Sequence, residues 1–214
     1  RVTPAARAMT DCFALLDEPR RPWLDATTLK EKFLALSTEA HPDRFHSGSP
    51  AEREEASDRY SALNAAHSRL REPKDRLAHL LELELGRRPA DVQAVPGDAM
   101  ELFFQVGQLC REVDQFIAGR AQVTSPLLMV QSFERGLALA DRVTELQRTL
   151  EQKVEALEVA LQSLNDAWIS APPVGSPGRV ARLPLGRVED LYRAFSYLGR
   201  WRAQLQERFV QLSM

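Results

Sequence analysis

Residues 41–50 read HPDRFHSGSP, a polar stretch that separates two segments with helical patterning. Pro42 has no amide hydrogen and disfavours helical backbone at His41, so a helix that precedes the stretch must end there. Ser49 and Pro50, at the other end, suit the cap and the first position of a second helix. The stretch therefore predicts a polar loop between two helices.

Apolar residues on both sides of this loop recur at steps of three or four, the spacing that places side chains on one face of a helix. Asp25 or Thr27 can cap the first helix, and Thr28 with Glu31 matches a capping box, with Thr27 an equally good start. The two faces comprise Leu29, Phe33, Leu36 and Ala40 before the loop, and Ala56, Tyr60, Leu63, His67 and Leu70 after it.

Two shorter helices are predicted beside this hairpin. The leading helix covers residues 6–16 and ends before Pro19. The trailing helix follows the break at Pro73, covers residues 74–85 and ends at Gly86, because glycine readily adopts the left-handed backbone of a helix C-terminus.

The rest of the chain is also patterned as helices, over residues 99–117, from Ser125-Pro126 onward, and over residues 188–212. Residues 171–186 contain four prolines and three glycines, so we expect an irregular loop or disorder there. Without convincing strand alternation, the fold class is all-α, and three inward-facing stripes predict a helical bundle. The longest stripe comprises Leu139, Val143, Leu146, Leu150, Val154, Leu157, Leu161 and Leu164.

Composition narrows the function classes. The 214 residues are 44% hydrophobic and 27% charged, which is ordinary globular usage, and the net charge of −2 offers no bulk attraction to nucleic acid. No apolar run of about 18 residues predicts a membrane span. Cys12 and Cys110 are too far apart in sequence for a metal-binding pair, which suits a reducing, cytoplasmic compartment. We expect no cofactor, no metal and no catalytic activity, because no phosphate loop or nucleophile–base pair is present.

The tripeptide His41-Pro42-Asp43 between two amphipathic helices resembles the signature of a J-domain, the module with which DnaJ-type co-chaperones engage DnaK-type chaperones. Residues 62–81, ALNAAHSRLREPKDRLAHLL, are similar to the form of this domain in the HscB family, the co-chaperones of iron–sulfur cluster assembly. Residues 192–209, YRAFSYLGRWRAQLQERF, resemble that family's closing helix. The matching positions in the first stretch are Asn64, Ala65, Leu70, Pro73, Arg76, Leu80 and Leu81.

The resemblance implies a J-domain over residues 9–85, a linker over 86–98 and a three-helix client-binding bundle over 99–214. In the family, the tripeptide binds a DnaK/HscA-type ATPase and stimulates ATP hydrolysis, and the bundle delivers an IscU-like scaffold protein. The chaperone-binding residues would be His41, Pro42, Asp43, Arg44, Lys30 and Lys32.

Each residue of the tripeptide has a physical role that suits this binding. Pro42 stiffens the turn, which lowers the entropy lost on binding. Asp43 offers a carboxylate that can pair with a partner arginine through two hydrogen bonds. His41 can cap the end of the preceding helix or contact the backbone of the partner.

The second helix departs from the family pattern. Ser37, Thr38 and Glu39 stand where J-domains commonly carry basic residues. From Lys30 to Arg44, three cations are balanced by three carboxylates. We therefore expect weaker electrostatic steering toward an acidic surface than in a typical member.

The client-binding face also departs from the pattern. Phe103 and Phe104 keep the apolar pair with which the family's bundle contacts the scaffold, but Gly107, Gln108 and Arg111 stand where apolar or acidic residues are usual. The resemblance then implies scaffold recognition that is more hydrophobic and less dependent on charge. Adjacent residues point about 100° apart on a helix, so either phenylalanine could belong to the core.

Several alternatives stay open at this point. The chain could be a non-chaperone helical interaction module that keeps a J-like domain and self-associates through its long helix. A stable dimer would favour that function and a monomer would favour a co-chaperone; we expect a monomer or a weak dimer without nucleic-acid or membrane partners. The simpler roles for other residues are a solvated loop at His46, core histidines at His67 and His79, a buried hydrophobe at Cys110, and a solvated helix edge at residues 200–202.

Overall fold

The computed structural model of the chain describes residues 10–90, 97–120 and 125–213. Throughout these residues the regular structure is helical and no strand is formed, so the predicted all-α class is confirmed. The α-helices are α1 (Cys12–Leu15), α2 (Ala26–Glu39), α3 (Pro50–Arg71), α4 (Pro73–Leu85), α5 (Met100–Arg120), α6 (Pro126–Ile169), α7 (Arg179–Arg182) and α8 (Leu185–Ser213). Short 3-10 helices cover Pro42–Phe45 and Gly97–Ala99.

The chain packs into two compact units, and neither is continuous in sequence. Unit 1 contains Arg1–Ala90 and Ala160–Tyr192, and unit 2 contains Asp91–Val159 and Arg193–Met214. This division by packing differs from the sequence-based division at residues 9–85, 86–98 and 99–214, because α6 and α8 each contribute residues to both units. The sequence-based division stays a prediction about which segments fold independently.

Local sequence signals set the ends of the helices in unit 1. Asp25 caps α2, accepting a hydrogen bond from the Thr28 amide at 2.8 Å, so the helix begins at Ala26 and not with a Thr28–Glu31 capping box. Ser49 and Glu52 form a reciprocal capping box at the start of α3. Gly86 ends α4 with a positive φ of 69°, as predicted.

The apolar faces predicted for the hairpin pack together in the core of unit 1. The predicted leading helix falls partly on residues 6–9, which lie outside the described residues, and its described part forms only α1. The fully buried large side chains of residues 12–85 are Phe13, Leu16, Leu29, Leu63, Leu70, Leu77, Leu80 and Leu81.

The proline- and glycine-rich segment at residues 171–186 is more regular than the sequence predicts. Its irregular part ends at residue 178, after which α7 makes a short helix and α8 begins at Leu185. Arg179 explains the order: its guanidinium forms two hydrogen bonds with the buried carboxylate of Glu84, at 2.8 and 2.9 Å. It also donates to the Pro172 carbonyl at 2.6 Å. The prediction of a loop is therefore wrong for residues 179–182 and 185–186.

Unit 2 is a bundle of α5 with parts of α6 and α8. The stripe predicted on α6 is confirmed here, because Leu139, Val143 and Leu150 are buried in its core. Leu146, Val154 and Leu157 pack partly buried against the same core. The other buried residues of this core are Val106, Leu109, Cys110, Val113, Phe116, Tyr197, Leu198, Trp201 and Leu205.

Candidate functional site

The tripeptide His41-Pro42-Asp43 forms the first turn of the 3-10 helix Pro42–Phe45. His41 is the cap of this turn, because its Nδ1 accepts a hydrogen bond from the Asp43 amide at 3.3 Å. The Arg44 amide donates to the His41 carbonyl at 3.0 Å, and the His46 ring bonds the Asp43 carbonyl at 2.8 Å. The turn is therefore fixed by its own hydrogen bonds and by the restricted φ of proline.

His41 does not cap the end of the preceding helix, as one of its two predicted roles required. The last turn of α2 is closed by its own backbone, with the Ala40 amide donating to the Leu36 carbonyl at 3.0 Å. The His41 ring instead meets the Tyr60 ring edge-on, at 5.3 Å between centroids. This contact fastens the loop to α3, because aromatic pairs favour edge-to-face packing.

Asp43 presents its carboxylate outward. Its side chain is 91% exposed, and the Nδ1 atom of the His41 ring lies 3.6 Å from Oδ2. A carboxylate on a turn fixed by other groups can meet a guanidinium without reordering the backbone.

The three predicted cations of this site are not equivalent. Lys30 and Arg44 are exposed, and Arg44 lies 3.5 Å from the Thr38 carbonyl. Lys32 bonds Glu18, whose carboxylate is buried, at 2.7 Å and donates to the Asp17 carbonyl at 2.8 Å. Two of the three Lys32 donors are therefore already used inside unit 1, which gives this residue a structural role.

Ser37 is not a surface position that has lost a cation. The residue is 7% exposed, while Thr38 and Glu39 beside it are exposed. A lysine or arginine at Ser37 would have to bury its charge, which is costly unless a partner compensates it. The departure from the basic pattern on α2 therefore rests on Thr38 and Glu39.

Arg76, one of the positions that carried the resemblance, holds unit 1 together. Its guanidinium is buried and donates to the Leu70 carbonyl at 2.7 Å, near the end of α3, and to the Pro22 carbonyl at 2.8 Å. Carbonyls at a helix end lack intrahelical partners, and a cation suits the negative end of the helix dipole. This contact explains an arginine three residues after Pro73.

His79 is fully buried, as expected of a core histidine, and its environment keeps it neutral. Its Nε2 accepts a hydrogen bond from the Cys12 amide at 3.0 Å, and its ring stacks on Phe13. Desolvation, aided by the charge of Arg69, lowers the pKa of His79 to about 4. Because Nε2 accepts, the neutral ring carries its proton on Nδ1, which has no hydrogen-bond partner among the described residues.

His67 lies half-buried on α3 and stacks on Phe33, with 4.2 Å between the ring centroids. Burial, followed by the charges of Arg71 and Lys30, lowers the pKa of His67. Both cysteines are buried free thiols, and burial raises the pKa of each. Among the described residues, no cluster of three or more histidine, cysteine, aspartate and glutamate side chains could hold a metal ion.

The second candidate surface is on α5. Phe103 and Phe104 are 41% and 61% exposed, so neither belongs to the core. Their rings lie 5.6 Å apart, and the Phe103 ring lies 6.2 Å from that of Trp201 on α8. Trp201 is 5% exposed, so the prediction of a solvated edge at residues 200–202 is wrong for this residue.

The polar residues that follow this aromatic pair are joined to α6. Gln108 donates to the Glu112 carboxylate at 2.9 Å, and Glu112 pairs with Arg142. Hydrogen bonds from Arg142 and then Gln108 lower the pKa of Glu112. Gly107 is half-buried and Arg111 exposed, with the Arg111 guanidinium 3.6 Å from where a Cβ on Gly107 would lie. Glu112 is an acidic residue beside this pair that the sequence pattern did not single out.

No model of a known protein family matches the chain. A co-chaperone protein HscB homologue from Cupriavidus taiwanensis is 32% identical over 158 residues, which cover 73% of this chain and 78% of that protein. A second homologue of that name, from Bordetella petrii, is 33% identical over 102 residues, or 48% of this chain and 58% of that protein. The match to this second relative thus spans less than two thirds of its length.

Two solved structures share the fold. Chaperone HscB from Vibrio cholerae aligns with a TM-score of 0.55 at 21% identity, covering 95% of this chain and 99% of that one. Human co-chaperone protein HscB aligns with a TM-score of 0.57 at 16% identity, covering 96% and 83%. The architecture is a helical J-like domain with a C-terminal helical bundle, as predicted. With the Cupriavidus relative and this fold together, the chain belongs to the HscB co-chaperone family.

Proposed function

We propose that this chain binds a DnaK/HscA-type ATPase through His41, Pro42 and Asp43, and stimulates its ATP hydrolysis. The observation that carries the proposal is the outward carboxylate of Asp43 on a turn fixed by hydrogen bonds. The chain acts as an activator, and the hydrolysis takes place on the partner. A cytoplasmic location suits the two free thiols.

The geometry of the turn supports binding through a preorganised acidic group. His41 and Pro42 hold the backbone, and the Tyr60 ring holds His41, so binding immobilises few further groups. A guanidinium on the chaperone can then take both oxygens of Asp43. Pairing in a water-excluded interface strengthens the contact.

The distribution of cations supports slow, weakly steered association. Lys30 and Arg44 are exposed, but Lys32 is engaged by Glu18 and Asp17 within unit 1. Because steering by complementary charge acts mainly on the association rate, we expect a low rate with little dependence on salt.

The aromatic pair on α5 supports the proposal that unit 2 delivers an IscU-like scaffold protein. Phe103 and Phe104 are exposed, and Phe103 is backed by the buried Trp201 ring, which gives a rigid apolar surface. Large aromatic side chains on a rigid support are the typical source of binding energy at protein interfaces. Gln108, Arg111 and Glu112, whose charge is balanced by Arg142, would form the polar rim beside it.

The decisive experiment is single-turnover ATP hydrolysis by the DnaK/HscA-type chaperone of the same cell. Wild type and Asp43→Asn are titrated with and without the candidate scaffold. Asp58→Asn is the matched control, because Asp58 is an exposed aspartate on α3 outside the tripeptide. Phe104→Ala, at the more exposed phenylalanine, tests the client surface.

We expect stimulation by wild type and Asp58→Asn, and its loss in Asp43→Asn. The scaffold should enhance stimulation by wild type but not by Phe104→Ala. Stimulation indifferent to every scaffold would contradict delivery of an iron–sulfur client while keeping the chaperone contact. Folded wild-type protein that stimulates no chaperone of that cell would overturn the proposal, and the self-associating interaction module would then become the better function.

A further inference from the structure

Exposed apolar side chains surround the first turns of α6, away from the aromatic pair on α5. We call this group the α6 apolar patch, and its side chains are between 50% and 69% exposed. None of residues 125–133, SPLLMVQSF, is charged. The patch comprises Leu127, Leu128, Met129, Val130, Phe133 and Leu137.

The size of this patch is unusual for a monomer. A large apolar side chain presents on the order of 200 Å² when fully exposed, so the six together leave roughly 700 Å² exposed. This is more than the largest apolar patches on typical monomers, which cover about 300–600 Å². An exposed apolar area of this size indicates a surface that binds a partner.

The patch contains both a projecting side chain and a groove. Phe133 is 67% exposed, and beside it a groove of about 560 Å³ is lined by Phe116, Gly136, Leu137 and Leu212, among others. Gly136 deepens the groove, because a Cβ there would lie 3.2 Å from the Phe116 ring. A surface with a knob and a groove side by side can pair with its own copy about a twofold axis.

The charges around the patch are compatible with a second copy of this chain as the partner. Glu134 is exposed at the rim together with Arg120 and Arg135, so the rim carries both signs and does not repel a copy of itself. The net charge of −2 adds little repulsion between two chains. A membrane surface is the poorer fit, because interfacial helices carry a strongly charged polar face.

We propose that the α6 apolar patch is a self-association surface on which two copies of this chain pair about a twofold axis. Two copies would bury at most roughly 1,400 Å², toward the lower end of specific interfaces, which predicts a weak, concentration-dependent dimer. In each copy Phe133 would enter the groove beside Gly136 of the other. This pairing is separate from the surfaces proposed for the chaperone and the scaffold.

The test is sedimentation velocity of the full chain from roughly 1 to 100 µM. Phe133→Glu places a charge at the centre of the patch, and Met129→Glu places one a helix turn away. Val159→Glu is the matched control, because Val159 is 68% exposed on the same helix outside the patch. Circular dichroism checks that each variant keeps the wild-type helix content. Flotation with neutral phospholipid vesicles tests the alternative occupant.

We expect wild type and Val159→Glu to dimerise reversibly, and each patch variant to raise the dimer Kd by at least about 100-fold. Wild type that stays monomeric over this range would overturn the proposal. A dimer that persists in both patch variants would also overturn it. So would wild-type protein that floats with the vesicles while Phe133→Glu does not.

Discussion

The two units differ in what their cores bury. Unit 1 buries ionisable and amide groups among its leucines, whereas the described core of unit 2 is almost entirely apolar, with Ser196 as its buried polar residue. Buried polar groups depend on specific partners, while apolar packing depends mainly on volume. Unit 1 should therefore respond to lost partners and to pH, and unit 2 to lost volume. The buried polar residues of unit 1 are Glu18, Ser37, Arg76, His79, Glu84, Asn165 and Arg179.

The largest expected effect comes from breaking the ion pair between Glu84 and Arg179. Glu84→Ala leaves a guanidinium buried without its carboxylate, so unit 1 should lose about 4–5 kcal/mol of unfolding free energy. Peptide-resolved hydrogen exchange measures the loss in unit 1. Glu145→Ala, which breaks an exposed pair with Arg148, is the control and should have no measurable effect. A Glu84→Leu, Arg179→Met double variant should recover much of the stability. No recovery would show that the loss does not come from an unpaired buried charge.

The next largest effect concerns the apolar core of unit 2. Leu150 is fully buried in the core of unit 2, so Leu150→Ala should cost about 3–4 kcal/mol through lost burial and a residual cavity. Denaturant unfolding, followed by hydrogen exchange in α5 and α8, gives this value. The cost should be the same at pH 7 and pH 5. Val159→Ala, at an exposed position of the same helix, should change little; an equal loss there would contradict the assigned core.

A pH titration separates the two units further. His79 has a folded-state pKa of about 4, below its ordinary value of 6.5, because burial disfavours the charged ring. Between these values the unfolded chain binds more protons than the folded one, so stability falls as pH falls. The full contribution, at most about 3 kcal/mol, is present above pH 6.5 and is lost as pH falls to about 4.

Hydrogen exchange across that pH window should show the loss in unit 1 and not in unit 2. His79→Gln keeps an acceptor for the Cys12 amide but does not titrate, so it should reduce the pH dependence to the smaller part that His67 contributes. His46→Gln, which changes an exposed histidine, should leave the dependence as in wild type. An unchanged slope in His79→Gln would assign the pH sensitivity to another group.

The smallest expected effect concerns the end of α6. Asn165 accepts from the Trp23 amide at 3.1 Å and donates to the Trp23 carbonyl at 3.0 Å. Asn165→Ala removes both partners of this backbone segment, which should cost about 2 kcal/mol. Asn64→Ala is the control, because Asn64 makes one exposed bond to the Tyr60 carbonyl. Chemical denaturation compares them, and equal losses would show that the Asn165 contact adds nothing.

Some features follow from short stretches of sequence. The cap at Ser49, the stop at Gly86 and the break at Pro42 depend on one residue and its neighbours, and the structure forms each of them. The stripe on α6 repeats often enough to define a buried face. The tripeptide His41-Pro42-Asp43 was recognised by its resemblance, and its exposed carboxylate agrees with a surface role.

Other features of the candidate surfaces could not be predicted in this way. The backing of Phe103 by Trp201 joins α5 to α8, and the neutralisation of Glu112 by Arg142 joins α5 to α6. Trp201 continues the helical spacing of Leu198 and Leu205, so periodicity alone could have placed it in the core, but that pattern does not give its contact with Phe103. Which side chains meet across helices depends on rotation and crossing of the helices, and those are set by packing.

The all-α class, most helix ends and the apolar stripes could be read from the sequence, because each depends on local backbone preferences or on helical periodicity. The tripeptide His41-Pro42-Asp43 could be read there too, as a resemblance. Three features depend on contacts between distant residues: the pairing of Arg179 with Glu84, the pairing of Lys32 with Glu18, and the packing of residues 160–192 in unit 1. These contacts join residues distant in sequence, so their free energy appears only once the chain has folded.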